Sequence, residues 1–508
     1  MKPPILEQKF GDLADILKGA MASLAGFVGR TGARIIFLFF AGNFYEADNL
    51  GRLAAVIAVM EILVTLGIFG FRRSLLEMLQ THKDEEDAQY SLIKTALLVS
   101  LGVGTILAVT LALLWDFIGL IYGNFYYSLF AMIIPFMALM EVFLTSTRFR
   151  RVVRYEVFAR SLVEPWTIAI TSVVFFFLGW VNFGLLLAYV LSMFAAFLFS
   201  LWAFSQLFSW KKLLRAKPNI ALTKRIFVFS GPTALVDVIG IAFRRVDVLF
   251  LGYFSSDFVV GIYYGVQQIA TVLQKARHVF DPILQPVISQ AMDKVGNEGA
   301  GQQIRQVCRW IFSVLTLLLA LMAFYGGPLL SGIGEGFAAG ALALTVVLAA
   351  ETLEGALASA ELPFVFRKPI LNLKLSATGF AFHLVGLTFL IPILGIMGAA
   401  VSFFIAIFIL NVLRLVSIKK NFNITLLSPS YIKPALAGGI SYLTLFFTNQ
   451  LINLTNPFLV PFGVALGIGA YVLIFWGLKP TAEDREFISY LKKRKKPKLA
   501  VDKDFDQV

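Results

Sequence analysis

The chain has 508 residues, of which 58% are hydrophobic and only 15% charged, with a formal net charge of +13. A soluble domain carries about 25% charged residues; with a mean hydropathy of +0.80, this chain has too few polar groups to cover itself in water, and its excess apolar surface faces lipid. About fourteen helices of ~22 residues would use about 310 residues, which leaves no room for a soluble catalytic domain, and the single Cys308 excludes an intrachain disulfide or a cysteine-based metal centre.

The sequence opens without the layout of a cleaved signal, and residues 5–19 read as an amphipathic lead-in helix at the interface. Apolar spans follow near 20–41, 52–71, 92–114, 118–145, 161–180, 183–209, 226–253, 258–280, 307–327, 337–359, 371–392, 396–416, 431–450 and 458–478. Lys and Arg gather in every second connection. Arg72 and Arg73 follow the second span, Arg148 to Arg160 the fourth, Lys211 to Arg225 the sixth, Arg305 and Arg309 the eighth, Arg367 and Lys368 the tenth, and Arg414 and Lys419 the twelfth. The alternate connections hold only acids: Glu46, Asp48, Asp116, Asp257 and Glu335. This asymmetry explains the net charge without nucleic acid and places both termini in the cytoplasm.

An internal repeat organises the spans. ARIIFLFFAGNFYEADNLG (33–51) aligns with FRRVDVLFLGYFSSDFVVG (243–261) at a constant offset of 210, matching Arg34 with Arg244, Gly42 with Gly252 and Gly51 with Gly261. VNFG (181–184) aligns with GIMG (395–398) at nearly the same offset. An offset spanning six helices implies two parallel halves about an axis along the membrane normal. The expected fold is an all-α polytopic membrane protein: an N-lobe over 1–209, a basic linker over 210–225, a C-lobe over 226–420, two additional helices within 421–480 and a basic tail over 481–508.

Ionisable groups within spans are costly and therefore informative. Arg30 and Arg34 share one face of the first span. Asp237, Arg244, Arg245 and Asp247 lie in the seventh, with Arg244 and Asp247 spaced to pair. The four arginines Arg30, Arg34, Arg244 and Arg245 form a candidate site for a concentrated anion, because the guanidinium fork matches phosphate oxygens. Glu61, central in the second span, is the local counter-ion for Arg30 or Arg34. Glu61, Asp237 and Asp247 are candidates for coupling to a proton or sodium ion; no other cofactor and no metal site is expected. In the eighth span, two polar stripes run through Tyr264, Gln268, Thr271 and Lys275, and through Gln267 and Thr271, as on a helix lining a watery cavity. Glu351, Glu354 and Glu361 balance Arg367 and Lys368 or bind a cation. Glu164-Pro165 reads as an ordinary helix start, and His383 and Cys308 as core residues. No Walker A or HExxH pattern occurs, so the chain carries no ATPase or zinc-hydrolase signature.

Two parallel six-span halves, arginines in the first span and the stretch from FRRVDVLFLGYF to VGIYYGVQQIA together resemble the polysaccharide and O-antigen flippase family of the multidrug/oligosaccharidyl-lipid/polysaccharide exporter superfamily. Its most specific residues here are Arg245, Asp247, Gly252, Gly261 and Tyr263. The resemblance implies a two-lobed transporter that carries a polyprenyl-pyrophosphate oligosaccharide from the cytoplasmic to the outer leaflet by alternating access, driven by an ion gradient or the membrane potential. Other glycan-assembly membrane proteins would be its partners, alongside the lipids. A peptidoglycan-precursor flippase, a multidrug cation antiporter and a polymerase of lipid-linked sugars are the competing readings. Four central arginines disfavour a cationic drug, and the short outer loops disfavour a polymerase.

Overall fold

The computed structural model describes residues 29–122, 130–278 and 296–478. The lead-in helix, the start of the first span and the basic tail lie outside the described residues. Lipid offers no hydrogen-bond partners, so a chain of this composition satisfies its backbone within helices. In chain order these are α1 over 29–44, α2 Glu46–Ile68, α3 Phe71–Thr81, α4 Glu86–Tyr122, α5 Ile134–Phe149, α6 Arg154–Phe158, α7 Glu164–Phe177, α8 Gly184–Ser205, α9 Trp210–Arg215, α10 Ile220–Phe254 and α11 Asp257–His278. Then come α12 Gly296–Phe324, α13 Gly326–Ile333, α14 Ala341–Leu357, α15 Leu362–Arg367, α16 Pro369–Leu394, α17 Ile396–Phe422, α18 Ile432–Leu451 and α19 Val460–Gly477. Among the described residues, 11 helical stretches are long and apolar enough to cross a membrane. The polar stripes of α11 keep it from that set.

By internal contact the chain divides into two compact units. The first comprises the chain up to Ala270, Gly326–Val347 and Ile370–Leu410. Here the α7–α8 hairpin is locked by Tyr45, whose hydroxyl donates to the Ser172 carbonyl at 2.6 Å. Gly184 makes room for that phenol, since a Cβ would sit 2.7 Å from its oxygen. His383 of α16 stacks on Phe243 of α10 at 5.1 Å and hydrogen-bonds Ser402 of α17 at 3.0 Å, so it ties three helices together.

The basic connections are more ordered than loops. After Gly70, at φ 73°, residues Phe71–Thr81 form α3. The linker is α9 followed by a short extended segment, and its last six residues are already the first turns of α10, capped by Asn219, whose side chain accepts from the Ala221 and Leu222 amides. Lys94 donates to the carbonyls of Leu214 and Ala216, and Lys212 to both oxygens of Glu86, a bond that raises the lysine's pKa.

The fifth span corrects the sequence reading. It runs unbroken from Arg154 to Phe177, so Glu164-Pro165 lies inside it, not at its start. Pro165 has no N–H to offer the preceding turn, and the chain widens into a π turn over Ala159–Val163, with the Glu164 amide bonded to the Ala159 carbonyl. Just below, buried Glu141 of α5 is held by Arg72 at 3.1 Å and by Arg160.

The second unit comprises Thr271–Tyr325, Leu348–Pro369 and the chain from Asn411 onward. Helices α12, α18 and α19 pack through small residues: the Ser441 hydroxyl donates to the Gly467 carbonyl at 2.8 Å, and the Tyr471 hydroxyl to the Ser313 carbonyl at 2.7 Å. Cys308 is fully buried in α12, as expected of a core residue. Arg414 is no loop residue: its side chain is 4% exposed and pairs with Glu354 at 3.1 Å and Glu361 at 2.9 Å. Those glutamates therefore draw on Arg414, which Asn411 assists by donating to Glu354 at 2.9 Å.

Candidate functional site

Helix α2 runs beside α10 and meets the start of α11, and three ion pairs mark this seam. At its acidic end the crossing of α2 and α11 is so close that a Cβ on Gly51 would overlap the Asp257 carbonyl oxygen, and one on Gly261 would overlap that of Ala47. Ala47 and Asp257 stand at the same repeat offset as Gly51 and Gly261, so the contact is two-fold symmetric. The acids of these tips are offset there: Arg52 reaches Asp257 at 2.9 Å, and Asn43 donates to the Ile333 carbonyl at 2.7 Å.

At the basic end, the turn between α2 and α3 abuts α10. A Cβ on Gly70 would stand 2.6 Å from the Ser230 carbonyl. Ser74 and Ser230 share a hydroxyl hydrogen bond at 2.6 Å, Phe69 meets Phe227 edge-on, and Arg73 pairs with Asp237 at 3.4 Å. Asp237 thus takes its partner from α3, outside the arginines of the seventh span.

Between the two ends, Arg245 grips Glu61 with its fork, Nε at 2.6 Å and Nη2 at 3.2 Å. Glu61 was matched with Arg30 or Arg34 from its place in the second span; the seventh span supplies its partner. Beside this pair is a cavity of about 80 Å³. Its polar wall comes from Arg34 of α1, Glu61 of α2, Glu164 of α7, Tyr189 and Ser192 of α8, Arg245 of α10, and Tyr264 and Gln268 of α11. Arg34 and Glu164 make no hydrogen bond or ion pair among the described residues.

The remaining sequence candidates fall elsewhere. Arg30 is one turn from Arg34, within electrostatic reach of Glu164, Arg160 and Glu61, and its buried Nε has no partner among the described residues. Arg244 does not line the cavity; its carbonyl accepts from Gln267. Asp247, 2% exposed, accepts from the Tyr263 hydroxyl at 2.7 Å, from Gln267 at 2.9 Å and from the Val248 amide at 2.9 Å, which fastens α11 onto α10. Gln267 therefore serves Asp247 while its neighbour Gln268 faces the cavity. Thr271 and Lys275 belong to the second unit. Sequence reasoning missed Glu164, Tyr189 and Ser192; an acid beside a proline inside an apolar run was the available signal for the first. Among the described residues no group of His, Cys, Asp and Glu could hold a metal ion.

Comparison with known proteins agrees with this architecture. The lipid II flippase MurJ, in an inward closed conformation, superposes with a TM-score of 0.71 at 13% identity, over 92% of this chain and 100% of that one. An inward-facing multidrug resistance MATE family transporter of the MOP superfamily gives 0.63 at 13% identity, over 78% and 94%. A MOP superfamily transporter from Pyrococcus furiosus gives 0.56 at 14% identity, over 80% and 95%. No curated protein matches the sequence. The family described as polysaccharide biosynthesis protein matches residues 16–292, more than half of the chain. With its apolar helices, its transporter fold and that match together, this multi-pass membrane protein belongs to the polysaccharide biosynthesis protein family.

Proposed function

We propose that the protein is a flippase, which moves a polyprenyl-diphosphate-linked oligosaccharide from the cytoplasmic to the outer leaflet of the bacterial inner membrane by alternating access. The observation that carries this reading is the cavity. Two arginines from equivalent spans of the two repeats, Arg34 and Arg245, face one small polar space, midway along a seam that is closed at both ends. Arginine at this depth suits a phosphate, and Arg34, which makes no ion pair among the described residues, is the group left to hold one. Tyr189, Ser192, Tyr264 and Gln268 offer hydroxyls and an amide to the sugar next to the phosphates, and the lipid tail stays in the bilayer.

The two ends of the seam supply the gates. Basic connections face the cytoplasm, so Gly70, Ser230 and the Arg73–Asp237 pair form the inner gate, and Gly51, Gly261 and the Arg52–Asp257 pair the outer one. A cavity of about 80 Å³ is far too small for a glycan, so cargo enters only after the inner gate parts. Of the three coupling candidates, Glu61 keeps that role, Asp237 works as a gate latch, and Asp247 fastens α11 onto α10. Arg30 backs Arg34 electrostatically.

The test is a strain lacking the protein, supplied with the wild type or with Arg34→Ala/Arg245→Ala. Lipid-linked glycan should accumulate on the cytoplasmic face without the protein and with the double variant. In vesicles, collapse of the proton gradient or membrane potential should slow flipping. Wild-type flipping by the double variant refutes the anion cavity. Transport of the peptidoglycan precursor in place of a longer glycan would reassign the cargo and leave the cavity unchanged.

A further inference from the structure

The two cavity arginines are in different states. Arg34 has no hydrogen bond or ion pair among the described residues, while Arg245 has its Nε and Nη2 edge filled by both oxygens of Glu61. That edge is one of the two on which a guanidinium can hold a phosphate with paired bonds. The pair is not a deeply buried staple: the Arg245 side chain is 22% exposed and that of Glu61 33%. Glu61 therefore occupies Arg245 much as a ligand would, from the helix that carries the outer gate. Glu164 adds a second carboxylate to the wall, and the hydroxyl of Tyr264 lies within electrostatic reach of Arg34, Arg245, Glu61 and Glu164 together.

We propose that Glu61 is a built-in competitor for Arg245 that sets the charge class of the cargo, admitting a diphosphate and rejecting a monophosphate. The inference rests on the reading of the cavity as an anion site. A monophosphate or carboxylate satisfies Arg34 alone. It gains little from Arg245, whose charge Glu61 already offsets, and it meets repulsion from Glu61 and Glu164. A diphosphate anchors one phosphate on Arg34, and its second phosphate then reaches Arg245 as an intramolecular partner. Tethering of that kind supplies an effective concentration in the millimolar range, enough to contest a partly exposed carboxylate where a free monoanion is not. Glu61 released from Arg245 still faces the polar cavity, where a proton or the cavity hydroxyls receive it. Cargo binding and the breaking of an ion pair across the α2–α10 seam are then one event, so loading loosens the seam at its midpoint.

The test uses the full chain in lipid nanodiscs, with inorganic pyrophosphate and inorganic phosphate as probes and titration calorimetry as the readout. The wild type should prefer pyrophosphate at least about tenfold, a difference of about 1.4 kcal/mol. Glu61→Gln should bind phosphate about tenfold more tightly and lose most of that preference. Glu164→Gln should strengthen both anions alike and keep the ratio. If Glu61→Gln does not accumulate as folded protein, Glu61→Asp, which shortens the competitor and keeps its charge, should shift the ratio in the same direction by a smaller factor. Pyrophosphate binding with an unchanged ratio in the Glu61 variants overturns the competitor role and leaves the anion cavity standing. Absence of binding by the wild type and all variants overturns the cavity reading and the selectivity with it.

Discussion

Gly261→Ala isolates the outer gate. The added Cβ would overlap the Ala47 carbonyl oxygen, a backbone atom on α2 that no rotamer change can move, so the two helices must separate. Overpacking of this kind costs about 1–3 kcal/mol, and the whole cost falls on the state with the tips in contact. The Arg52–Asp257 pair spans the same crossing with side chains 39% and 38% exposed, so its loss adds at most about 1 kcal/mol. A penalty of about 1–3 kcal/mol shifts a two-state equilibrium roughly 5- to 150-fold, here toward the outward-open state. Ser192 lines the cavity, and a cysteine placed there in a Cys308→Ala background reports access. Membrane-impermeant maleimide added from the outer side should label Gly261→Ala protein at least about fivefold faster than its parent. Gly102→Ala is the matched control, since nothing lies within 4 Å of the Cβ it would add, and should label at the parent rate. Equal labelling rates for a folded Gly261→Ala protein would refute both the gate and the symmetry argument behind it.

Three further outcomes follow from the same geometry. Arg34→Ala removes charge-assisted hydrogen bonds to the cargo worth about 1.5–3 kcal/mol, so flipping in reconstituted vesicles should fall by roughly one to two orders of magnitude, with Arg34→Lys recovering part of it because a lysine keeps the charge and loses the fork. At the inner gate, Asp237→Asn should increase Ser192→Cys labelling in inverted vesicles by no more than about fivefold, since a pair whose arginine is 59% exposed contributes less than about 1 kcal/mol; Gly70→Ala should do more, through both its φ of 73° and the Ser230 carbonyl 2.6 Å away. In the second unit, Arg414→Met takes the cation from Glu354, whose side chain is 10% exposed, and should lower stability by about 3–5 kcal/mol, seen as a large drop in the detergent melting temperature, whereas the added replacement Glu354→Gln should restore part of it.

What the sequence made legible is what recurs along one dimension. Hydropathy and the alternation of basic and acidic connections give the all-helical membrane class, and the offset of 210 pairs Gly51 with Gly261, whose contact is visible only in three dimensions. Ion pairing is not of that kind. Glu61 meets Arg245, 184 positions away, while the nearer-looking arginines of the first span stand on another helix; spacing restricts partners within a helix and says nothing between helices. Arg414 was counted with the loop charges because it sits near a span end, yet Glu354 and Glu361 draw it inside. In α11, Gln267 and Gln268 stand on overlapping stripes that share Thr271, and one step of about 100° along the helix sends the first to Asp247 and the second to the cavity. Glu164 was set aside because a proline after an acid usually opens a helix; the π turn at Ala159–Val163 absorbs that proline instead and leaves the carboxylate in mid-span. The costly groups were recognisable from their depth in apolar runs, but their roles were not, because a role depends on which charge stands opposite. Three of these charges, Arg52, Glu61 and Arg73, lie along α2 and α3 and meet Asp257, Arg245 and Asp237 in turn. The three pairs share no member, so each of the proposed gates would open without unpairing the other.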